Sequence, residues 1–318
     1  MELHPAYPFF SIMIFLSFVA SLVPWAWIKR DNIGILFLSL WLAMACLNQF
    51  VNSIIWYGNT RNSVPVWCDI SSRLIVGLAV AIPGSIMCMV RRLYHVCSMK
   101  TFLLTPTQAI ILALIEDLSI CLGIPILQMD LEYIVEVNRY NIIEDIGCYP
   151  APYNTWLAYV LSYSWPVILG AVTAVYSGMQ HRFHANFLII IHLSSQRKHY
   201  LRLVILALLE ITFATPFAVV VMVFDLTIFP VLPYISWENI HSNYSVVNEV
   251  PAVLWHSDLR IAVLTEMTQW ILVLCAVTFF GVFGFSGEAM NAYKTGFWTV
   301  VGLLGIKKPE MPQEDLPR

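Results

Sequence analysis

The sequence predicts an all-α membrane protein, a seven-transmembrane helix bundle with its N-terminus outside and its C-terminus cytoplasmic. Three observations carry that expectation. Seven apolar stretches are each long enough to span a bilayer core, which needs about 20 mostly apolar residues to cross about 30 Å. Composition agrees: 59% of residues are hydrophobic and 12% charged, with a mean hydropathy of +0.73, whereas soluble domains carry about 25% charged residues. The basic residues fall between alternate stretches, as the positive-inside rule requires. Each stretch must be helical, because a lone strand in lipid leaves its backbone groups unpaired.

The first stretch, Tyr7–Trp27, has no basic segment ahead of it and is followed by Lys29 and Arg30, which favours a retained helix over a cleaved signal. The second, Gly34–Tyr57, is interrupted by Asn48, Gln49 and Asn52. The third, Cys68–Val90, contains Pro83 and ends on Arg91 and Arg92; near its outer end Asp69 and Arg73 stand at the i,i+4 spacing of an ion pair. The fourth, Thr107–Met129, holds Glu116, Asp117 and Pro125. The fifth, Trp156–Met179, carries Pro166, and the sixth, Leu201–Asp225, carries Glu210 and Pro216. The seventh is Ala262–Phe285, with Glu266 near its outer end. Packed membrane helices tolerate such prolines with a kink. Glu116, Asp117 and Glu210 are expected to be helix-packing groups neutralised by protonation, or members of a polar interior that switches between packings.

After the seventh stretch, Met290, Tyr293, Phe297, Val301 and Leu304 recur at three- and four-residue steps, the period of a short amphipathic helix on the inner leaflet. Residues 1–303 therefore form one membrane domain and 304–318 a short polar cytoplasmic tail.

Orientation follows from the basic residues. With the N-terminus outside, Lys29, Arg30, Arg91, Arg92, Lys100, Arg182, Arg197, Lys198, Arg202, Lys294, Lys307, Lys308 and Arg318 are cytoplasmic, against Arg61, Arg139 and Arg260 outside. The net charge of −3 averages this basic inner face with an acidic outer one, where Asp130, Glu132, Glu136, Glu144 and Asp145 crowd one loop. Of seven cysteines, Cys68 and Cys148 are the two placed in oxidising space, where a bridge would pin the second outer loop over the bundle; two free thiols are the alternative. Asn243-Tyr244-Ser245 is a glycosylation sequon in the last outer loop.

Several chemistries are excluded. The seventh stretch has no lysine for a retinal Schiff base. The eight histidines lie in loops or near helix ends and form no third-ligand cluster, so neither a metal nor another cofactor is expected and no catalytic site emerges. No nucleic-acid partner is expected, and homodimerisation stays open. The halves show no internal repeat, which weighs against a small-solute transporter, the alternative to a receptor.

Particular blocks decide between these. The run from Cys46 to Trp56 with Gly58-Asn59, then Pro65-Val66-Trp67-Cys68-Asp69-Ile70-Ser71, resembles fungal mating-pheromone receptors of the a-factor-receptor type. So do Val80-Ala81-Ile82-Pro83, Arg91-Arg92-Leu93-Tyr94, Ile120 to Pro125 with Leu127-Gln128-Met129, Glu144 to Pro150, Tyr200-Leu201-Arg202-Leu203 and Phe279-Phe280-Gly281. The similarity covers nearly all of residues 6–295.

That resemblance implies a multi-pass plasma-membrane, class D G-protein-coupled receptor. Its ligand would be a secreted peptide farnesylated and carboxymethylated at a C-terminal cysteine, and its partners membrane lipids and a heterotrimeric G protein that starts a mating response. For such a ligand the outer mouth offers Trp56, Tyr57, Asn59, Trp67, Asp69, Arg73, Tyr149, Asn154 and Trp156. On the inner side Arg91, Arg92, Arg182, Arg197, Lys198 and Arg202 would frame the G-protein groove, with Pro166 and Pro216 as bend points. Many such receptors carry a long hydrophilic tail, whereas this sequence ends at Arg318, which puts tail-based regulation in doubt and leaves a trimmed and a naturally short form as alternatives.

Overall fold

In the computed structural model, the residues described are 8–27, 33–98, 106–182 and 197–303. Seven helices among them are long and apolar enough to cross a membrane: Phe9–Ala26, Ile33–Ile55, Pro65–His95, Ile110–Glu132, Trp156–Met179, Leu201–Ile228 and Leu259–Phe283, termed spans one to seven. Span three begins and ends several residues beyond the predicted Cys68–Val90. Span seven starts early because the Asp258 side chain caps it by accepting from Arg260 N at 2.9 Å.

Span three is the hub. In its most apolar stretch 72% of residues are buried, against 17% in spans four, six and seven, whose remaining apolar faces are left for lipid. Its lower half packs Ile86, Met89, Val90 and Leu93 against Ile35, Leu38 and Leu42 of span two, Leu203 and Leu206 of span six, and Phe279 and Phe283 of span seven. Spans five and six approach so closely that a Cβ at Gly170 would overlap the Thr215 side chain.

The prolines act on the backbone in a regular way. Pro125, Pro166 and Pro216 each lie two or three residues beyond a turn of π-helix, at Ser119–Gly123, Tyr159–Tyr163 and Glu210–Ala214. A helical proline removes an N–H and crowds the carbonyl four residues back, and a widened turn relieves that crowding. For Pro125 that carbonyl is Cys121 O, and Trp41 Nε1 of span two donates to it at 3.0 Å. Pro83 is accommodated within an uninterrupted helix.

At one end of the bundle the loops form a small sheet, which no sequence pattern announces. β1 (Tyr140–Ile143) pairs antiparallel with β2 (Gly147–Tyr149) and parallel with β3 (Val247–Val250), in the order β2-β1-β3. This capped end lies above Trp56, Cys68, Tyr140, Ile142 and Cys148, which pack as one buried cluster.

At the opposite end one expectation is corrected. Glu116 and Asp117 do not stand alone in the span: Arg91 reaches from span three to both, with Nη2 2.7 Å from Asp117 Oδ1. A buried arginine fork that bridges two acids offsets the cost of carrying them within a span. A further helix, Gly287–Leu303, follows span seven; Ser286 caps it through Ala289 N at 2.8 Å, and Trp27 meets Tyr293 edge-on at 5.0 Å. Met290, Tyr293 and Phe297 are exposed on it. Lys29, Arg30, Lys100, Leu304 and the tail 304–318 lie outside the described residues.

Candidate functional site

The capped end is built on glycine and cysteine chemistry. The hairpin between β1 and β2 turns through Asp145 (φ 68°) and Gly147 (φ 101°), both in the left-handed region that favours glycine. Asp145 is held there from both sides: its N–H donates to Trp56 O at 3.0 Å, and its Oδ1 accepts from Gly58 N at 2.9 Å. Gly147 then passes directly over span two, where a Cβ would come within 2.6 Å of Asn52 Cβ. Cys148, next in the strand, is joined by a disulfide to Cys68 at the start of span three, with Cα atoms 5.1 Å apart. Asn52 completes the seat by donating to Ser71 Oγ at 3.0 Å and accepting from Trp67 Nε1 at 2.8 Å.

Beside this seat lies a buried cluster of polar side chains, termed the chamber below. The expected Asp69–Arg73 pair does not form. Asp69 instead accepts from Arg139 through both Nε, at 2.6 Å, and Nη2, a two-pronged contact that a neighbour on its own helix cannot offer. Arg73 pairs with Glu136 and donates to the Tyr244 hydroxyl oxygen at 2.9 Å, while that hydroxyl donates to Glu136 Oε2 at 3.1 Å. Arg73 also lies 5.6 Å from the ring centre of Tyr133. Burial pushes the Glu136 carboxyl up to about 7, against the opposing pull of Arg73. Burial likewise lifts Tyr244 to about 12, with nearby Glu136 adding to the rise, and Tyr149 to about 12, with Asp225 adding to it. The Asp69 contact raises Arg139.

Below Glu136, Gln128 and Glu132 continue the chamber down span four, each 1% exposed. Ser162 of span five stands beside Glu132, and Tyr163 beside Asp225 of span six. Around the mouth, Tyr133, Trp237, His241 and Tyr244 form an aromatic rim, with the Trp237 and His241 rings stacked at 3.9 Å.

The nine residues singled out for the outer mouth are thus divided. Trp56 is wholly buried, its Nε1 donating to Arg61 O at 3.1 Å, so it supports the cap from below. Trp67 bonds Asn52, and Asn59 donates to Ile55 O and Tyr57 O, both at 3.0 Å, closing the turn after span two. Asp69 and Arg73 face the polar network. Asn154 ties the start of span five to Phe229 O and Pro230 O at 3.1 Å, and Trp156 is 60% exposed. Sequence reasoning misses Gln128, Glu132, Tyr133, Glu136, Trp237, His241 and Tyr244 as members of the site. A four-residue step of polar side chains, Gln128 to Glu132 to Glu136, is the one signal that points to the first of them. Asn243 is exposed on the cap.

At the opposite end Arg92 lies 3.9 Å from Asp117, and Arg202 of span six lies 3.8 Å from Glu288 of the final helix. Arg182 closes the helix that continues span five, while Arg197 and Lys198 open the helix leading into span six. The segment between them, 183–196, lies outside the described residues. An apolar groove of about 380 Å³ on the flank is lined by Phe217, Met267, Trp270 and Leu274 and presents no charge.

A seven-helix bundle with a disulfide-held cap over a buried polar cluster defines the class: a multi-pass helical membrane protein. The chain belongs to the pheromone A receptor (STE3) family, whose model matches residues 9–302. It is 39% identical over 311 residues to the pheromone B alpha 3 receptor of Schizophyllum commune, covering 96% of this chain and 50% of that protein. To pheromone receptor 1 of Mycosarcoma maydis it is 31% identical over 309 residues, covering 95% and 85% respectively. To the pheromone a factor receptor of Saccharomyces cerevisiae it is 25% identical over 282 residues, covering 85% and 57%. The chain spans about half the length of the Schizophyllum commune relatives it matches.

Proposed function

We propose that this chain is a G-protein-coupled receptor for a secreted peptide pheromone, farnesylated at its C-terminus, and that it acts in the plasma membrane of a fungal cell. The observation that carries the reading is the family match along almost the whole chain, joined to a capped polar chamber at one end of the bundle. The capped end faces outward. Its disulfide needs an oxidising compartment, and its exposed Asn243 belongs to a sequon. The opposite end carries Arg91, Arg92, Arg182, Arg197, Lys198 and Arg202, in keeping with a cytoplasmic face.

The physics suits a lipidated peptide. The prenyl chain partitions into the bilayer or between helices, gaining about 0.8 kcal/mol per buried CH₂. The peptide portion then meets the rim and chamber. Agonism requires that the ligand bind the active packing better than the resting one. The π turns beside Pro166 and Pro216 are where spans five and six can bend, opening a groove among the basic residues at the inner end for the G protein.

The test is a reporter strain that expresses this chain as its sole pheromone receptor, exposed to a panel of farnesylated peptides and their unprenylated counterparts. G-protein activation by one or more prenylated members is expected. Failure of the whole panel, with solute flux in proteoliposomes, would replace the receptor reading by a transporter.

A further inference from the structure

The chamber beneath the cap has more acceptors than donors. Three acceptors, Gln128 Oε1, Glu132 Oε2 and Glu136 Oε1, have no partner, against two unpartnered donors, Gln128 Nε2 and Arg73 Nη1. All three acceptor side chains are 1% exposed. Buried polar atoms are almost always paired, and each orphan costs about 1–3 kcal/mol, more if charged. Gln128 and Glu132 lie one turn apart on span four, so their free atoms share a face; Glu136 follows where the chain turns into the cap.

The charges are unbalanced in the same direction. Two carboxyl groups, Glu132 and Glu136, face a single guanidinium, that of Arg73, and Arg139 is already engaged by Asp69. The other elements around the chamber contribute hydroxyls: Ser162 and Tyr163 from span five, Tyr149 and Tyr244 from the cap. A cation carrying several N–H donors would both pair the three acceptors and balance the charge.

We propose that the chamber seats a guanidinium or primary ammonium group of the bound peptide, with Gln128 Oε1, Glu132 Oε2 and Glu136 Oε1 as its acceptors. A bare metal ion fits less well. No group of three or more histidine, cysteine or acidic side chains among the described residues could hold one, and the Arg73 guanidinium already pairs with Glu136. A planar guanidinium can accept that neighbour and can also enter past the rim, where Tyr133 and Trp237 are 41% and 46% exposed. The assignment of this cation to a peptide rests on the receptor reading; the existence of the cation site does not.

The experiment uses the full chain purified into lipid nanodiscs and follows thermal unfolding with three additives at matched ionic strength. They are N-acetylarginine amide, its uncharged isostere N-acetylcitrulline amide, and sodium chloride. At about ten times its dissociation constant the arginine derivative raises Tm by about 2–5 °C. Citrulline and sodium leave Tm unchanged, and Glu132→Gln abolishes the arginine effect. Equal shifts with arginine and citrulline, or no shift with either, would overturn the proposal. A shift reproduced by sodium would replace it with an inorganic ion site. If Glu132→Gln does not fold, the arginine–citrulline contrast on the native chain decides alone. Because no pheromone is needed, failure here leaves the signalling assay free to stand or fall separately.

Discussion

Replacing Gly147 by alanine strikes the cap at its tightest point. An L-residue at φ 101° is strained, costing about 1–3 kcal/mol. The new Cβ would stand 2.6 Å from Asn52 Cβ, so Asn52 must move. Asn52 holds Ser71 Oγ at 3.0 Å and Trp67 Nε1 at 2.8 Å, and each bond lost removes about 1 kcal/mol. The sum is about 2–5 kcal/mol, or a fall in Tm of about 5–15 °C. Gly58→Ala is the matched control. Gly58 also has positive φ, 59°, but a methyl added there would meet nothing within 4 Å, so strain alone remains, about 1–2 kcal/mol. Differential scanning fluorimetry of the two variants in nanodiscs separates the terms. Gly147→Ala is expected to melt well below Gly58→Ala, and coincident melting would refute the close seating of the hairpin on span two.

Other outcomes follow from the same geometry. Cys68→Ser opens a crosslink between residues 80 apart in sequence, which on loop-entropy grounds costs about 4–5 kcal/mol; a melting point unchanged by this substitution or by reductant would contradict the bridge. Glu136, raised from 4.5 to about 7, holds its proton more tightly in the folded state, so it disfavours folding as pH climbs. Between pH 5 and 8 the native chain should lose up to about 3 kcal/mol of stability from this group, and Glu136→Gln should flatten that slope; parallel profiles would remove Glu136 as the source. Glu288→Gln releases Arg202 from the final helix, and because such partly exposed pairs contribute under about 1 kcal/mol, basal signalling should rise no more than about fivefold. A large constitutive response would show that the contact does more than hold two side chains. Replacing Arg197 and Lys198 by alanine should lower agonist-driven signalling at unchanged surface expression.

Hydrophobic length alone places the spans, because bilayer thickness fixes how many apolar residues a helix needs. The prolines are legible as places where the backbone must adjust, although the π turns beside three of them and the unbroken helix through Pro83 are not written in the local sequence. The capped end is legible only in part. Cys68 and Cys148 can be matched by compartment, but β1, β2 and β3 are three or four residues long, and β1 and β3 pair across about 100 residues of sequence, so no local period announces them. The ion pairs escape prediction for a related reason. Asp69 and Arg73 satisfy a helical spacing rule, yet each finds a partner in the loop after span four, Arg139 and Glu136, which only the folded cap delivers. Trp56 shows the converse: its place at a span's outer end suggests a contact surface, and the fold makes it a buried support.

Photo-crosslinking tests the central claim most directly: that the chamber under the disulfide-held cap receives the peptide. An active farnesylated peptide carrying a benzophenone in its peptide portion would be irradiated on the full chain and the adducts mapped by mass spectrometry. Adducts on Tyr133, Trp237, Tyr244 or neighbouring residues of the rim are expected, and competition with unlabelled peptide should remove them. Competable adducts confined to the opposite end of the bundle, around Arg91, Arg202 and the final helix, would contradict it.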